Sequence, residues 1–523
     1  MKTFLSLCLI FVLCANGQIR FEEHSLPFVL KNGATGRFYL PELMPGGVGV
    51  IDYDGDGCMD VYFANGAELP SMRKTGKDYW NRLYHNDCHG KFTDVTEKAG
   101  VAGEGYSIAV AVADYDHDGK PDIFVAGLNR NLLYHNRGDG TFEERAVPAG
   151  LMPKQNKPWS ISAGFFDMDN DGWPDLFISN YVQWNPETEP KCGTAEQRFY
   201  CHPGLYKGQA SQLFRNNHDG TFSDVSAESG IAGQIGKGMG VAFADFNGDG
   251  LTDIFVANDS MRNFLYENLG NGKFREMGLE YGASLSDDGR AIASMGVDFR
   301  DYDNDGKPDL IVTGMINDSY LLFHNIGQPV FFEDKTAQAG LAAATRNLTG
   351  WGCGFADFDN DGWKDLFFAN AHFPQFGRLS GGASPLNNSV FRNLGNGRFQ
   401  DVSSTAHLGG AGYNRGAVFA DFDGDGLVDV IVSRIDEPAR FYKNVTPGAG
   451  KSITFQEPLG TEIRVELPDG RTLSNHSSTS VGYASSSEAL VRFGLGRFAE
   501  PKSVQVRRPG QGWQPLTVKA GPR

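Results

Sequence analysis

Short apolar runs recur along this chain, and most of them break on an aspartate. Gly240-Val241-Ala242-Phe243-Ala244 ends at Asp245, and Ile254-Phe255-Val256-Ala257-Asn258 follows a few residues later. Runs this short, rich in Val, Ile and Phe and bounded by Gly and Asp, predict a strand, a loop and a strand. The unit occurs seven times, with loops starting at Asp52, Asp114, Asp167, Asp245, Asp301, Asp357 and Asp421. Beyond it lies an aromatic-Asn signature, as in Leu83-Tyr84-His85-Asn86, Leu213-Phe214-Arg215-Asn216 and Leu265-Tyr266-Glu267-Asn268. Asn-Gly and Asp-Gly pairs such as Asp219-Gly220 then mark a hairpin turn into one more extended segment. The first aspartates are spaced 62, 53, 78, 56, 56 and 64 residues apart. Four short strands at such a period predict a solenoid or a propeller. The propeller is favoured because one sheet per repeat around an axis protects its edges. The expected fold is therefore all-β: a seven-bladed β-propeller with calcium loops over residues 18–445, plus a small C-terminal β domain over 446–523.

The ends of the pattern carry further expectations. Arg20-Phe21-Glu22-Glu23 weakly echoes the strand that ends each repeat and could complete the last sheet beside Arg440-Phe441-Tyr442-Lys443-Asn444. From about Thr446 the loops stop, and alternating Ile463, Val465 and Leu467 precede a Pro468-Asp469-Gly470-Arg471 turn. The 78-residue interval holds an insertion around Cys192 and Cys201. Trp159, Tyr181, Trp184, Phe199, Tyr200 and Tyr206 fall in or beside it, either as a recognition surface or, more commonly, as packing beneath a loop.

The loops carry the candidate chemistry. Positions 1, 3, 5 and 9 are Asp52, Asp54, Asp56 and Asp60; Asp114, Asp116, Asp118 and Asp122; Asp167, Asp169, Asp171 and Asp175; Asp245, Asn247, Asp249 and Asp253; Asp301, Asp303, Asp305 and Asp309; Asp357, Asp359, Asp361 and Asp365; and Asp421, Asp423, Asp425 and Asp429. Alternating oxygen donors in a coiling loop, with Gly at position 6 for the sharp turn, suit Ca²⁺, a hard cation that takes six to eight oxygens. Position 7 varies freely, as a residue offering only its carbonyl would. An EF-hand would need Glu at position 12, where this chain has Phe63, Val125, Ile178, Val256, Val312, Phe368 and Val432. Up to seven calcium sites are expected, the fourth being the weakest for its neutral Asn247.

Charge and cysteines then place the chain. The net charge of −17 excludes a nucleic-acid surface, and it originates largely in the loops. Lys2, an apolar stretch from Phe4 to Leu13 and the small residues Ala15-Asn16-Gly17 predict a signal peptide over 1–17, cleaved before Gln18. That stretch is too short to span a membrane, so no membrane insertion is expected and the mature protein is placed outside the cytoplasm, secreted or periplasmic. Cys192 and Cys201 bracket a short polar loop and are read as a disulfide, over free thiols or a metal site lacking a fourth ligand. Cys58 and Cys88 form a second candidate pair, leaving Cys353 unpaired.

These repeats resemble FG-GAP (VCBS-type) repeats, the calcium-bearing propeller units also present in integrin α-subunits. The tail resembles the ASPIC/UnbV domain through Gly460-Thr461-Glu462-Ile463, Ser485-Ser486 and Phe493-Gly494-Leu495-Gly496. The combination is similar to the cartilage acidic protein family. The resemblance implies calcium at the loops and an extracellular interaction role with a protein or glycan partner, and it implies no shared catalytic residue. The sequence offers no Gly-x-Ser-x-Gly elbow, His-Glu-x-x-His helix or phosphate-cradling loop. His372, His202, Arg290 and Glu280 are the polar groups left outside the repeats. The expectation is a non-catalytic binding or adhesion module; a propeller-based polysaccharide lyase or hydrolase, or an accessory protein of secondary metabolism, is the alternative.

Overall fold

In the computed structural model, residues 18–152, 158–194, 196–374 and 383–517 are described; the expected signal peptide at 1–17 lies outside them. Seven sheets form, one per repeat, each with four antiparallel strands; the first is extended to six by two short strands of the tail. The innermost strands are Val48–Ile51, Tyr106–Ala113, Ser160–Phe166, Gly238–Ala244, Val297–Arg300, Gly350–Ala356 and Asn414–Ala420. Each packs against the next, and the last packs against the first, so the sheets close into a propeller-like ring. In every sheet the residue before position 1 pairs with the aspartate at position 9, as in Ile51 with Asp60 and Ala420 with Asp429. The acidic loop is thus the hairpin joining the two inner strands, and all seven loops lie on one face.

Ring closure uses the N-terminal strand. Phe21–Val29 is the outermost strand of sheet 7 and runs antiparallel to Pro438–Asn444, with Phe21 opposite Asn444. The weak echo at Arg20–Glu23 therefore marks the start of a real strand.

The tail departs from a simple appendage. Most of it is a small β unit on the loop face, built from Glu462–Glu466, Thr472–His476 and Ser503–Arg507, with a second pair from Lys451–Gln456 and Leu490–Gly496. Between Ser480 and Ser487, however, the chain enters the centre of the ring, and Ser485–Ser486 pairs in parallel with the inner strand of sheet 1. Gly482 exchanges backbone hydrogen bonds with Val297, and the Ala484 carbonyl accepts from Val110 N–H. The Ser486 hydroxyl accepts from Val112 N–H at 3.2 Å and that of Ser487 from Phe419 N–H at 3.0 Å, while Ser480 donates to the Val241 carbonyl. A buried plug of serines satisfies inner-strand backbone groups that would otherwise face an empty axis.

Room for the plug comes from small residues five positions before each first aspartate: Gly47, Ala109, Ser162, Gly240, Gly296, Gly352 and Gly416. A Cβ on Gly47 would stand 2.4 Å from the Ala484 carbonyl oxygen, and one on Gly416 would stand 2.5 Å from Ser485 Oγ. At the tip, Tyr483 is fully buried, stacks edge-on against Trp351 at 5.1 Å and donates to the Met44 carbonyl. Gly482 sits at φ +61°, and a Cβ there would lie 2.6 Å from the Cys353 carbonyl oxygen. Left-handed strain and overlap together predict that Gly482→Val costs about 3 kcal/mol. The expected readouts are a melting temperature lowered by about 3 °C, at an unfolding entropy near 1 kcal/mol/K for a chain this long, and faster proteolytic release of the tail. An unchanged melt and digestion pattern would show that the plug is dispensable.

The aromatic cluster resolves as packing. Trp159 and Tyr181 are fully buried and meet edge-on at 5.2 Å, and Trp184 and Tyr206 are also buried. Tyr200 donates to Glu42 Oε2 and Tyr206 to Glu189 Oε1, pinning the insertion over the end of the ring opposite the acidic loops. Disulfides join Cys58 to Cys88 and Cys192 to Cys201, and Cys353 is free and buried. No helix among the described residues is long and apolar enough to cross a membrane.

Candidate metal centres

The seven loops share one hydrogen-bond scheme. The position-1 carboxylate accepts the N–H of position 6, as Asp52 does from Gly57 and Asp357 from Gly362. Position 5 accepts the N–H of position 7, as Asp56 does from Cys58 and Asp425 from Leu427. Position 9 accepts two: Asp60 Oδ2 from Tyr53 N–H and Oδ1 from Asn86 N–H. The position-6 glycines lie at φ between +85° and +91°, where a Cβ would be strained. All 28 predicted site residues thus stand in their loops, grouped in fours, with backbone hydrogen bonds holding the coil before any ligand arrives.

Position 3 is less uniform: Oδ1 of Asn247 and Asp303 accepts the N–H of position 5. Oδ1 of Asp116, Asp169, Asp359 and Asp423 is buried and meets no hydrogen-bond donor. A buried acceptor without a donor is expensive, and a cation beside it would offset that cost; in loops 6 and 7 a cationic side chain, Arg392 or Lys443, already meets the other oxygen of the same carboxylate. Oxygens from positions 1, 3 and 5 of loop 1, Asp52, Asp54 and Asp56, lie within 4.8 Å of one another, as do those of Asp114, Asp116 and Asp122 in loop 2. Burial pushes Asp60 up to about 8, Asp122 to about 6 and Asp309 to about 8, with neighbouring carboxylates adding to the rise. The charged cage is unfavourable by itself, and a hard divalent ion with oxygen ligands would discharge it. The donor set therefore fits calcium.

The asparagine of the aromatic-Asn signature was legible as a motif, but its role was not. Asn268 Nδ2 donates to the Thr252 carbonyl of its own loop at 3.0 Å and to the Met168 carbonyl of the preceding loop at 2.8 Å, while its Oδ1 accepts from Gly270 N–H. The reach to the preceding loop is repeated by Asn86, Asn136, Asn216, Asn325, Asn393 and Asn444, so each sheet is tied to its neighbour around the whole ring. Asn268→Asp, which turns a carboxylate oxygen toward two carbonyls, is expected to cost about 3 kcal/mol or more, and Asn268→Ala about 2 kcal/mol. Chemical denaturation checks the order; equal losses would show that the amide donors carry no weight.

The residue just before that asparagine also escaped notice. It is His85, His135, Arg215, Glu267, His324, Arg392 and Lys443 in sheets 1 to 7. The three histidines bring Nδ1 to within 3.1–3.4 Å of the position-3 and position-9 carboxylates of loops 1, 2 and 5. The signal available was its register, two residues beyond the strand position whose aromatic and aliphatic side chains face the core.

Three of the other four polar candidates are engaged locally. His372 is buried with Nδ1 2.8 Å from Thr349 Oγ1, His202 Nδ1 accepts from Gly204 N–H, and Arg290 pairs with Asp288. Glu280 is exposed.

Comparison with known proteins follows the same lines. A profile of the FG-GAP-like repeat matches residues 52–125, 114–178, 205–256, 245–312, 301–368 and 378–432, and one described as ASPIC and UnbV matches 454–519. Cartilage acidic protein 1 of Homo sapiens is 26% identical over 514 residues, covering 88% of this chain and 68% of the relative. The Mus musculus protein of that name is 26% identical over 515 residues, covering 88% and 70%. Among solved structures, BBS1N in complex with ARL6DN is similar at a TM-score of 0.46 and 9% identity, over 83% of this chain and 99% of that one.

Proposed function

The chain belongs to the FG-GAP-like repeat family and ends in an ASPIC and UnbV domain, and from that membership we propose that it is a secreted, calcium-binding β-propeller acting as a non-catalytic extracellular module that binds a protein or glycan. The observation that carries the calcium reading is the pair of buried position-3 oxygens without donors in loops 2 and 3, Oδ1 of Asp116 and Asp169, inside cages already coiled by backbone hydrogen bonds. In this reading, positions 1, 3, 5 and 9 hold the ion, which supplies charge balance and cross-links the hairpin joining the inner strands. Two disulfides fit an oxidising compartment, and the named relatives bear the name of a cartilage protein.

The non-catalytic reading draws on the candidate polar groups: His372, His202 and Arg290 are spent on local hydrogen bonds and one ion pair, and Glu280 is exposed. A glycan array and a panel of matrix proteins, run beside a turnover screen on the same glycans, test it. Retention without product is the expected result. Product formation by the purified protein would replace the binding role with the lyase or hydrolase alternative.

A further inference from the structure

We propose that loops 4, 6 and 7 are closed by basic side chains instead of metal, so that calcium occupies four loops, 1, 2, 3 and 5, rather than seven. The inference rests on the calcium reading above and concerns which of this chain's own residues compete with the ion.

In loop 6, Arg392 spans two ligand positions: its Nε donates to Asp359 Oδ2 and its Nη2 to Asp361 Oδ2, both at 2.8 Å. The guanidinium is only 14% exposed and Asp359 2%, so the pair is withdrawn from solvent. A forked guanidinium matches paired carboxylate oxygens better than any other side-chain cation. It fills the gap between positions 3 and 5 that a calcium ion would need.

Loops 4 and 7 receive their arginines from the tail. Arg507 Nη2 donates to Asp245 Oδ2, at position 1 of loop 4, at 2.6 Å and also pairs with Glu462. Loop 4 is the one with Asn247 at position 3, so it carries one negative charge fewer before the arginine arrives. In loop 7, Lys443 pairs directly with Asp423 at position 3, and Arg492, whose fork is held by Glu488, adds its charge from 3.6 Å away from Asp421 Oδ2 at position 1. A divalent ion entering either cage would meet a cation held against the oxygens it needs, with little water to screen the repulsion.

The remaining loops lack this closure: in loop 3 the register position of Arg392 is Arg215, which is exposed and pairs with none of the loop carboxylates, and the half-exposed His218 meets Asp171 at position 5 instead. Lys120 and Lys307 touch position 5 of loops 2 and 5 from outside, and both are more than a third exposed, at 39% and 36%. A solvated ammonium on a flexible stem yields to an ion more readily than a withdrawn fork. In loops 1, 2 and 5 the register position held by Arg392 is histidine, a shorter side chain without the guanidinium's fixed charge and fork.

The test counts calcium by elemental analysis on the full-length mature protein, equilibrated with excess Ca²⁺ and freed of unbound ion. Four ions per chain are expected. Arg392→Met and Arg507→Met are each expected to raise the count by one, read on protein whose cooperative melt in calcium confirms folding. Five or more ions in the parent protein, or a count unmoved by either folded variant, would overturn the inference and leave the calcium reading standing. No bound calcium at all would overturn that reading and this inference with it.

Discussion

Removing calcium is expected to lower the melting temperature of this protein by about 10 °C. Each ion bound to the folded state alone, at a hundred times its dissociation constant, adds about 2.7 kcal/mol. Four such ions contribute about 11 kcal/mol, and a chain this long unfolds with an entropy of about 1 kcal/mol/K near its midpoint. The structural reason lies in the hairpins. Each acidic loop joins the two innermost strands of a sheet, and its position-9 aspartate also brackets the asparagine that reaches the preceding loop. Losing the ion leaves mutually repelling carboxylates at the point where neighbouring sheets are tied. Differential scanning calorimetry in excess chelator and in excess calcium measures the difference. A superimposable pair of melts, with no calcium found by elemental analysis, would refute the metal reading.

Deleting residues 18–30 is expected to abolish folding altogether. The segment is the outermost strand of sheet 7, and it places Ile19, Phe21, Leu26, Phe28 and Leu30 in the core. Phe21 meets Phe358 edge-on at 5.4 Å inside sheet 7's cluster, and Phe28 stacks on Phe63 of sheet 1 at 4.3 Å. One strand therefore seals the join between the last sheet and the first. Truncating a single buried aromatic costs about 3–5 kcal/mol, and losing five core side chains at once exceeds the 5–15 kcal/mol that holds a typical domain together. The expected product is insoluble or without a cooperative transition. A soluble truncation with a sharp melt would mean that the ring closes without its N-terminal strand. Phe28→Ala, expected to destabilise by about 3–5 kcal/mol, gives a graded check on the same join.

Much of this architecture could be read from the chain because its determinants are local. Strand, loop and strand sit within about twenty residues, and the aspartates, the position-6 glycine and the flanking Val, Ile and Phe all repeat in register. Even ring closure left a trace at Arg20–Glu23. The plug did not, for a physical reason. Ser485 and Ser486 gain meaning only beside Val48 and Val112, several hundred residues earlier. Their counterpart, the small residue five positions before each first aspartate, reads as ordinary strand glycine until the axis is seen. The cations at the loops were hidden in the same way. Arg392 could be found from its register within a repeat, whereas Arg492 and Arg507 come from a different domain and no spacing points to them. The aromatic insertion was ambiguous for another reason: Trp and Tyr suit both a buried layer and a contact surface, and only burial decides between them.

The plug carries a consequence for the order in which the molecule can be made. Sheet 7 is incomplete until residues near 444 are available to the strand at 21–29, and the axis is filled only by residues 480–487. Contacts of such long sequence separation form late and slowly. A growing chain therefore passes most of its synthesis as separate hairpins with unpaired edges, and the first and last segments to appear lock the ring together. Quality control becomes nearly all-or-none, since a chain cut short by even its final seventy residues has an open axis and exposed inner strands, the very surfaces that chaperones and proteases recognise.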